Sequence, residues 1–131
     1  MKRIMMLGLV FMSVACFAQS LPADENLSVD VFEAQLERGS NVLIDLRTPD
    51  EVKKGIIKNA TVIDYFRKDF EEAIAKLDPK KTYLLYCASG GRSGETLTLM
   101  KEKGFKNVYD LKGGFNAWRA EGKPVQPYTG K

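Results

Sequence analysis

The sequence predicts a small α/β domain in which helices cover both faces of a central parallel sheet. Three observations carry this expectation. Apolar, β-prone runs at 42–44, 60–63, 82–86 and 108–111 read as buried strands rather than as half-exposed, alternating ones. Segments with helical spacing or helix-start signals separate them, and strands alternating with helices build three-layer folds. The chain has 131 residues, room for one ordinary domain.

The first segment reads as a leader rather than as domain. Lys2 and Arg3 precede Ile4 to Ala18, fifteen residues without a charge. A cationic head on a short apolar stretch is the pattern of an export signal, and a bilayer-spanning helix needs ~20 such residues. Ala18 and Cys16 are small residues placed for a cut before Gln19. Residues 1–18 are therefore expected to be a signal peptide directing the protein to a bacterial periplasm. The alternative is a lipoprotein tethered to a membrane through Cys16, which Ser13 disfavours, because a branched apolar residue usually stands three before a lipidated cysteine.

Residues 19–26 read as a polar lead-in and residues 27–122 as the domain. Ser28 caps a helix running to about Arg38, with Val31, Phe32, Ala34 and Leu36 on its apolar side and Gly39 at its end. Val42 to Ile44 is a strand stopped by Asp45. Thr48-Pro49-Asp50-Glu51 starts a compact helix that Gly55 closes. Ala60 to Ile63 is a second strand. Phe70, Ala73, Ile74 and Leu77 then mark an amphipathic helix over 67–77, broken by Asp78-Pro79. Thr82 to Tyr86 is the best strand in the chain, β-prone and nearly all apolar. A helix from Ser93 to about Lys103 ends at Gly104, and Val108 to Leu111 is the last strand. Gly113-Gly114 leads into a short helix holding Trp118, and residues 123–131 form a loosely held tail.

Composition excludes several kinds of chemistry. The formal charge is +3, and Lys2 and Arg3 depart with the leader, so the mature surface is nearly neutral. No nucleic-acid footprint is expected. Of the two cysteines, Cys16 falls in the leader, leaving Cys87 without an internal disulfide partner. Histidine is absent, which removes Cys–His pairs, Ser–His–Asp triads and His-based metal sites. No metal or organic cofactor is expected, and nothing calls for more than a monomer.

The chemistry concentrates in Tyr83 to Ser93 (YLLYCASGGRS). A buried strand delivers Cys87 to its carboxyl end, where open α/β sheets place their ligand crevices. Gly90 and Gly91 let the backbone curl, so that the N–H groups of Ala88, Ser89, Gly90, Gly91, Arg92 and Ser93 can surround an anion. The helix that follows adds its partial positive charge. A thiol so placed ionises readily, in a range of roughly 3.5–7.5. Arg92 either holds a substrate anion or splints the loop to a carboxylate. A strand-end cysteine is in itself more often a buried, inert one. The glycine pair argues otherwise, since core packing has no use for it.

Cys87-Ala88-Ser89-Gly90-Gly91-Arg92-Ser93 resembles the active-site loop of the rhodanese family of sulfurtransferases. Asp45-Leu46-Arg47-Thr48-Pro49-Asp50-Glu51, followed by Gly55-Ile56-Ile57 and Asn59-Ala60, resembles the family's D-x-R-x-x-x-E … G-H-I signature. Leu111 to Trp118 (LKGGFNAW) resembles its L-x-G-G-x-x-A-W ending. The resemblance implies a rhodanese-like fold and a cofactor-free sulfurtransferase. In it Cys87 takes a sulfane sulfur from thiosulfate or a similar donor, as a persulfide, and passes it to cyanide or a thiol. Arginine follows Cys87 after four intervening residues. The related phosphatases and arsenate reductases carry one more, so the shorter loop favours sulfur.

Three positions depart from the family pattern. Ile56 replaces a histidine, Ala88 stands where many thiosulfate-using members carry a cation, and Gly91 stands where asparagine is common. Asp45, Arg47 and Glu51 read as an ion-pair bracket beneath the loop, with Arg47 and Glu51 paired across a helix start. The alternative gives Asp45 or Glu51 an acid/base role. Trp118 and Phe115 are expected in the core, and so is Phe66, unless Tyr65-Phe66 forms the pocket rim. Two other functions compete: a non-catalytic module that holds an anion or partner, and thiol redox work with an external thiol reductant.

Overall fold

The computed structural model describes residues 21–130. The expected signal peptide and Cys16 lie outside the described residues. Five strands form one sheet: β1 (Asn26–Leu27), β2 (Val42–Asp45), β3 (Thr61–Val62), β4 (Tyr83–Tyr86) and β5 (Val108–Leu111). The spatial order is β1-β5-β4-β2-β3, and every pair is parallel. Helices α1 (Val29–Glu37), α2 (Pro49–Val52), α3 (Phe70–Ala75) and α4 (Gly91–Glu102) fill the four connections, and α5 (Gly114–Ala120) follows the last strand. The expected α/β architecture is what the chain adopts.

β4 is the central strand, and all four of its residues are buried. Its alternation divides the core in two. Leu84 and Tyr86 pack on one face with Phe32 of α1 and Phe115 and Trp118 of α5. Tyr83, Leu85 and, just past the strand, Cys87 pack on the other with Phe70 and Ile74 of α3, Met100 of α4 and Phe105. A parallel strand wrapped on both faces has to be apolar throughout, which is why it was the plainest element in the sequence. Trp118 and Phe115 are in the core as expected.

Local chemistry explains most boundaries. The Ser28 hydroxyl accepts from the Val31 amide and starts α1. Thr48 and Glu51 form a reciprocal capping box on α2, with Pro49 at the first helical position. α3 is shorter than the expected 67–77. Asp64 captures the Phe66 amide, and Arg67 N–H bonds back to Asp64, so the chain turns before the helix begins. α4 begins at Gly91, two residues before the expected Ser93, because Gly90 at φ 107° already serves as its N-cap.

Three expectations fail for physical reasons. The polar lead-in ends in a strand, since Asp110 N–H donates to Glu25 and Lys112 N–H donates to Leu27 along the β5 edge. Two residues are too few for periodicity to reveal them. Phe66 is not core; it is 66% exposed. Nor is the tail after Gly122 loose. Ile56 and Gln126 exchange hydrogen bonds of 2.8 and 2.9 Å as an antiparallel bridge. Trp118 Nε1–H also donates to the Pro124 carbonyl at 2.8 Å.

A net hydrogen bond is worth about 1 kcal/mol, so cutting the chain after Lys123 is expected to cost about 3 kcal/mol, read from urea unfolding of the full and truncated proteins. Equal midpoints would show that the tail contributes nothing.

Candidate active site

The loop after β4 is held from behind. Phe115 N–H donates to the Cys87 carbonyl at 2.8 Å, and Asn116 N–H donates to the Ala88 carbonyl at 3.0 Å. With these two carbonyls facing α5, the peptide N–H groups farther along turn the other way. The approach is close enough to require glycine. A Cβ on Gly114, which has φ 61°, would lie 2.6 Å from the Ala88 and Cys87 carbonyl oxygens. Gly114 thus serves the site rather than the turn alone.

The inward amides converge on sulfur. Gly90 N–H and Ser93 N–H reach Cys87 Sγ at 3.1 and 3.4 Å, and Ser93 Oγ lies 3.6 Å away. The residue is only 1% exposed. Burial, the largest single influence, pushes the thiol up. The Ser93 amide and hydroxyl and the Gly90 and Ser89 amides together overcome it, so Cys87 sits below the ordinary thiol range. Hydrogen bonds to a charged group are worth about 1.5–3 kcal/mol each, which lets several outweigh one desolvation cost.

The charged residues pair differently from the sequence expectation. Arg47 does not bind the Glu51 carboxylate. It forms a buried fork on Asp45, Nε to Oδ1 at 3.0 Å and an amino nitrogen to Oδ2 at 2.8 Å. The same guanidinium donates to the Gly55 carbonyl and lies 3.9 Å from the centre of the Phe115 ring. Glu51 instead binds Arg92 through two bonds of 2.7 and 2.9 Å. Arg92 is therefore a splint between loop and α2 rather than a free anion holder. Sequence spacing suggested an i,i+4 pair, but α2 is one turn long and points Glu51 across to α4.

Cations missing from the loop stand beside it. A pocket of about 180 Å³ is lined by Ala88, Arg47, Glu51, Phe115, Asn116, Lys54 and Arg119. Lys54 and Arg119 make no ion pair among the described residues. The exposed Phe66 ring has the Arg92 guanidinium 5.7 Å from its centre. Neither Tyr65 nor Phe66 lines this pocket, so the expected aromatic rim is not found there. Tyr65 turns back to Phe70 and hydrogen-bonds Glu95. Sequence reading also missed Asp110, whose Oδ2 accepts from Ser93 Oγ at 3.2 Å. A lone acid at the end of an apolar strand was the only signal.

A model of the Rhodanese-like domain matches residues 28–121, well over half of the sequence. The chain belongs to the rhodanese-like family. A putative sulfurtransferase, YtwF, of Bacillus subtilis (strain 168) is 35% identical over 112 residues, covering 86% of this chain and 92% of the relative. A sulfurtransferase of Allochromatium vinosum is 29% identical over 84 residues, covering 64% and 77%. A rhodanese-related protein from Thermoplasma volcanium superposes with a TM-score of 0.69 at 26% identity, covering 79% of this chain and 98% of that one. Such relatives support rhodanese-type sulfur transfer.

In this rhodanese-like domain Glu51 carries the loop's acid sensitivity. The Arg92 fork lowers its carboxyl first, burial opposes, and Thr48 assists, leaving it at about 2 against an ordinary 4.5. A depressed carboxyl contributes stability above the unfolded range and loses it as pH falls from about 4.5 toward 2. Glu51→Gln is expected to cost about 2 kcal/mol at neutral pH, discounted for partial exposure, and to flatten stability across that acid interval. An unchanged acid limb in denaturant melts would contradict this.

Proposed function

We propose that the protein is a periplasmic sulfurtransferase that carries a sulfane sulfur on Cys87. The observation that supports it best is the convergence of the Gly90 and Ser93 amides on Sγ. Such a cradle favours a thiolate, and it equally favours the terminal sulfur anion of a persulfide. The Cys87 thiolate attacks the outer sulfur of an anionic donor such as thiosulfate. The donor's S–S bond breaks, and sulfite leaves with the bonding pair. Cys87 is left as a persulfide whose charge the amides of Ala88 to Ser93 share. Cyanide or a thiol then attacks the terminal sulfur and restores the thiolate.

Donor recognition in this reading passes to the flank of the loop. Arg92 is committed to Glu51, and Ala88 has no charge to offer. Lys54 and Arg119 line the pocket against Ala88 and supply the positive field for a dianion. Asp45 and Arg47 take no part in proton transfer; their buried fork and its stack on Phe115 brace α5, which in turn holds the loop.

Two measurements test this. Intact-mass analysis after incubation with thiosulfate is expected to show a gain of one sulfur atom. The gain should be reversed by cyanide with release of thiocyanate, and absent in Cys87→Ser. No gain from any of several donors, with the thiol titratable, would leave an anion- or partner-binding module. Replacing both Lys54 and Arg119 by alanine is expected to raise KM for thiosulfate about tenfold and to leave kcat nearly unchanged, as removal of uniform binding does. An unaltered KM would refute the flanking site.

A further inference from the structure

The whole chain contains no histidine, so the side chain that most often takes a proton from a nucleophile is missing. An unbroken hydrogen-bonded line stands in its place. Cys87 Sγ lies 3.6 Å from Ser93 Oγ, within reach of S–H donation. Ser93 Oγ lies 3.2 Å from Asp110 Oδ2. Ser93 is fully buried, and Asp110, the third residue of β5, is 6% exposed. Asp110 lines a cleft of about 510 Å³ with Asp24, Glu25, Asn26, Gly90 and Gly94.

We propose that Asp110 is a positioning residue for the nucleophile, taking up the Cys87 proton through Ser93. The inference rests on Cys87 acting as a thiolate nucleophile. In the thiol form, S–H donates to Ser93 Oγ and the Ser93 hydroxyl donates to the Asp110 carboxylate. Two protons then shift one place along the line. The sulfur loses one and becomes a thiolate, the carboxylate gains one, and Ser93 remains a neutral hydroxyl that now donates to sulfur. The Cys87–Asp110 pair carries one negative charge before and after, so no second buried charge forms. Gly90 O, 3.2 Å from Ser93 Oγ, is the remaining acceptor for that hydroxyl.

The surroundings of Asp110 suit the role. Asp24 and Glu25 face it from the segment entering β1, and Lys101 of α4 pairs with Glu25. Cys87 and Ser93 face it from the loop and α4. Burial above all keeps its carboxyl above the ordinary range; the Ser93 bond and its own amide oppose this, and the two neighbouring carboxylates add to it. Cys87 is displaced downward. The two groups approach each other from opposite ends, which is the condition for sharing one proton and titrating as a pair.

The test is the rate of Cys87 alkylation by iodoacetamide against pH, which needs no sulfur transfer. In the native protein the rate is expected to rise in two steps, with a plateau between the ordinary carboxylate and thiol ranges. Asp110→Asn is expected to give a single step, falling about tenfold per pH unit below it. Asp110→Glu should restore the plateau. Ser93→Ala, which cuts the line while leaving the carboxylate, should also give one step, and it serves if Asp110→Asn fails to fold by circular dichroism. A single step in the native protein, or two steps in Asp110→Asn, overturns the proposal. A two-step profile in a protein that transfers no sulfur would sink the sulfurtransferase reading alone.

Discussion

Two hydrogen bonds from the start of α5 to the carbonyls of Cys87 and Ala88 decide which way the peptide groups of the loop face. With those carbonyls held behind, the later amides turn forward, and the Gly90 and Ser93 N–H groups meet at sulfur. Everything at the site depends on that orientation, because the loop has no lysine and its one arginine is already paired. The arrangement needs α5 pressed against the backbone of the loop, and only glycine at 114 allows the approach. A motif at one end of the sequence therefore governs the chemistry of another.

The sheet and the ion pairs supply rigidity from opposite sides. β4, between β2 and β5, fixes where Cys87 emerges. The Asp45–Arg47 fork fills the space under α5 and stacks on Phe115. The Glu51–Arg92 fork ties α4 to α2. A buried pair such as Asp45–Arg47 contributes little net stability beside an apolar replacement, but losing one partner strands a charge. The value of the two forks here is geometric: one holds α4 to α2, and the other holds Arg47 against Phe115 of α5.

Much of this was legible in the sequence. Runs such as Tyr83 to Tyr86 are dictated by burial on both faces, and burial leaves an unambiguous apolar signature. Ser28, Thr48 and Pro49 mark helix starts through local bonds that involve near neighbours only. Cys87 and its glycines were legible because an amide cradle demands those residue types in sequence. β1 was not, because a two-residue strand owes its existence to the edge of β5. The partners of Arg47, Glu51 and Arg92 were misassigned or left open because side-chain reach is three-dimensional, and α2 is too short to impose helical spacing. Asp110, Lys54 and Arg119 carry no motif; only folding brings them to the loop.

At Cys87 the amide donors win over burial. Ultraviolet absorbance of the thiolate, titrated in the folded protein and again in denaturant, tests this directly. Absorbance is expected to persist below the free-thiol range in the folded protein and to return to the ordinary range on unfolding. Folded Cys87 titrating at or above the unfolded value would contradict it and would mark an inert, buried cysteine.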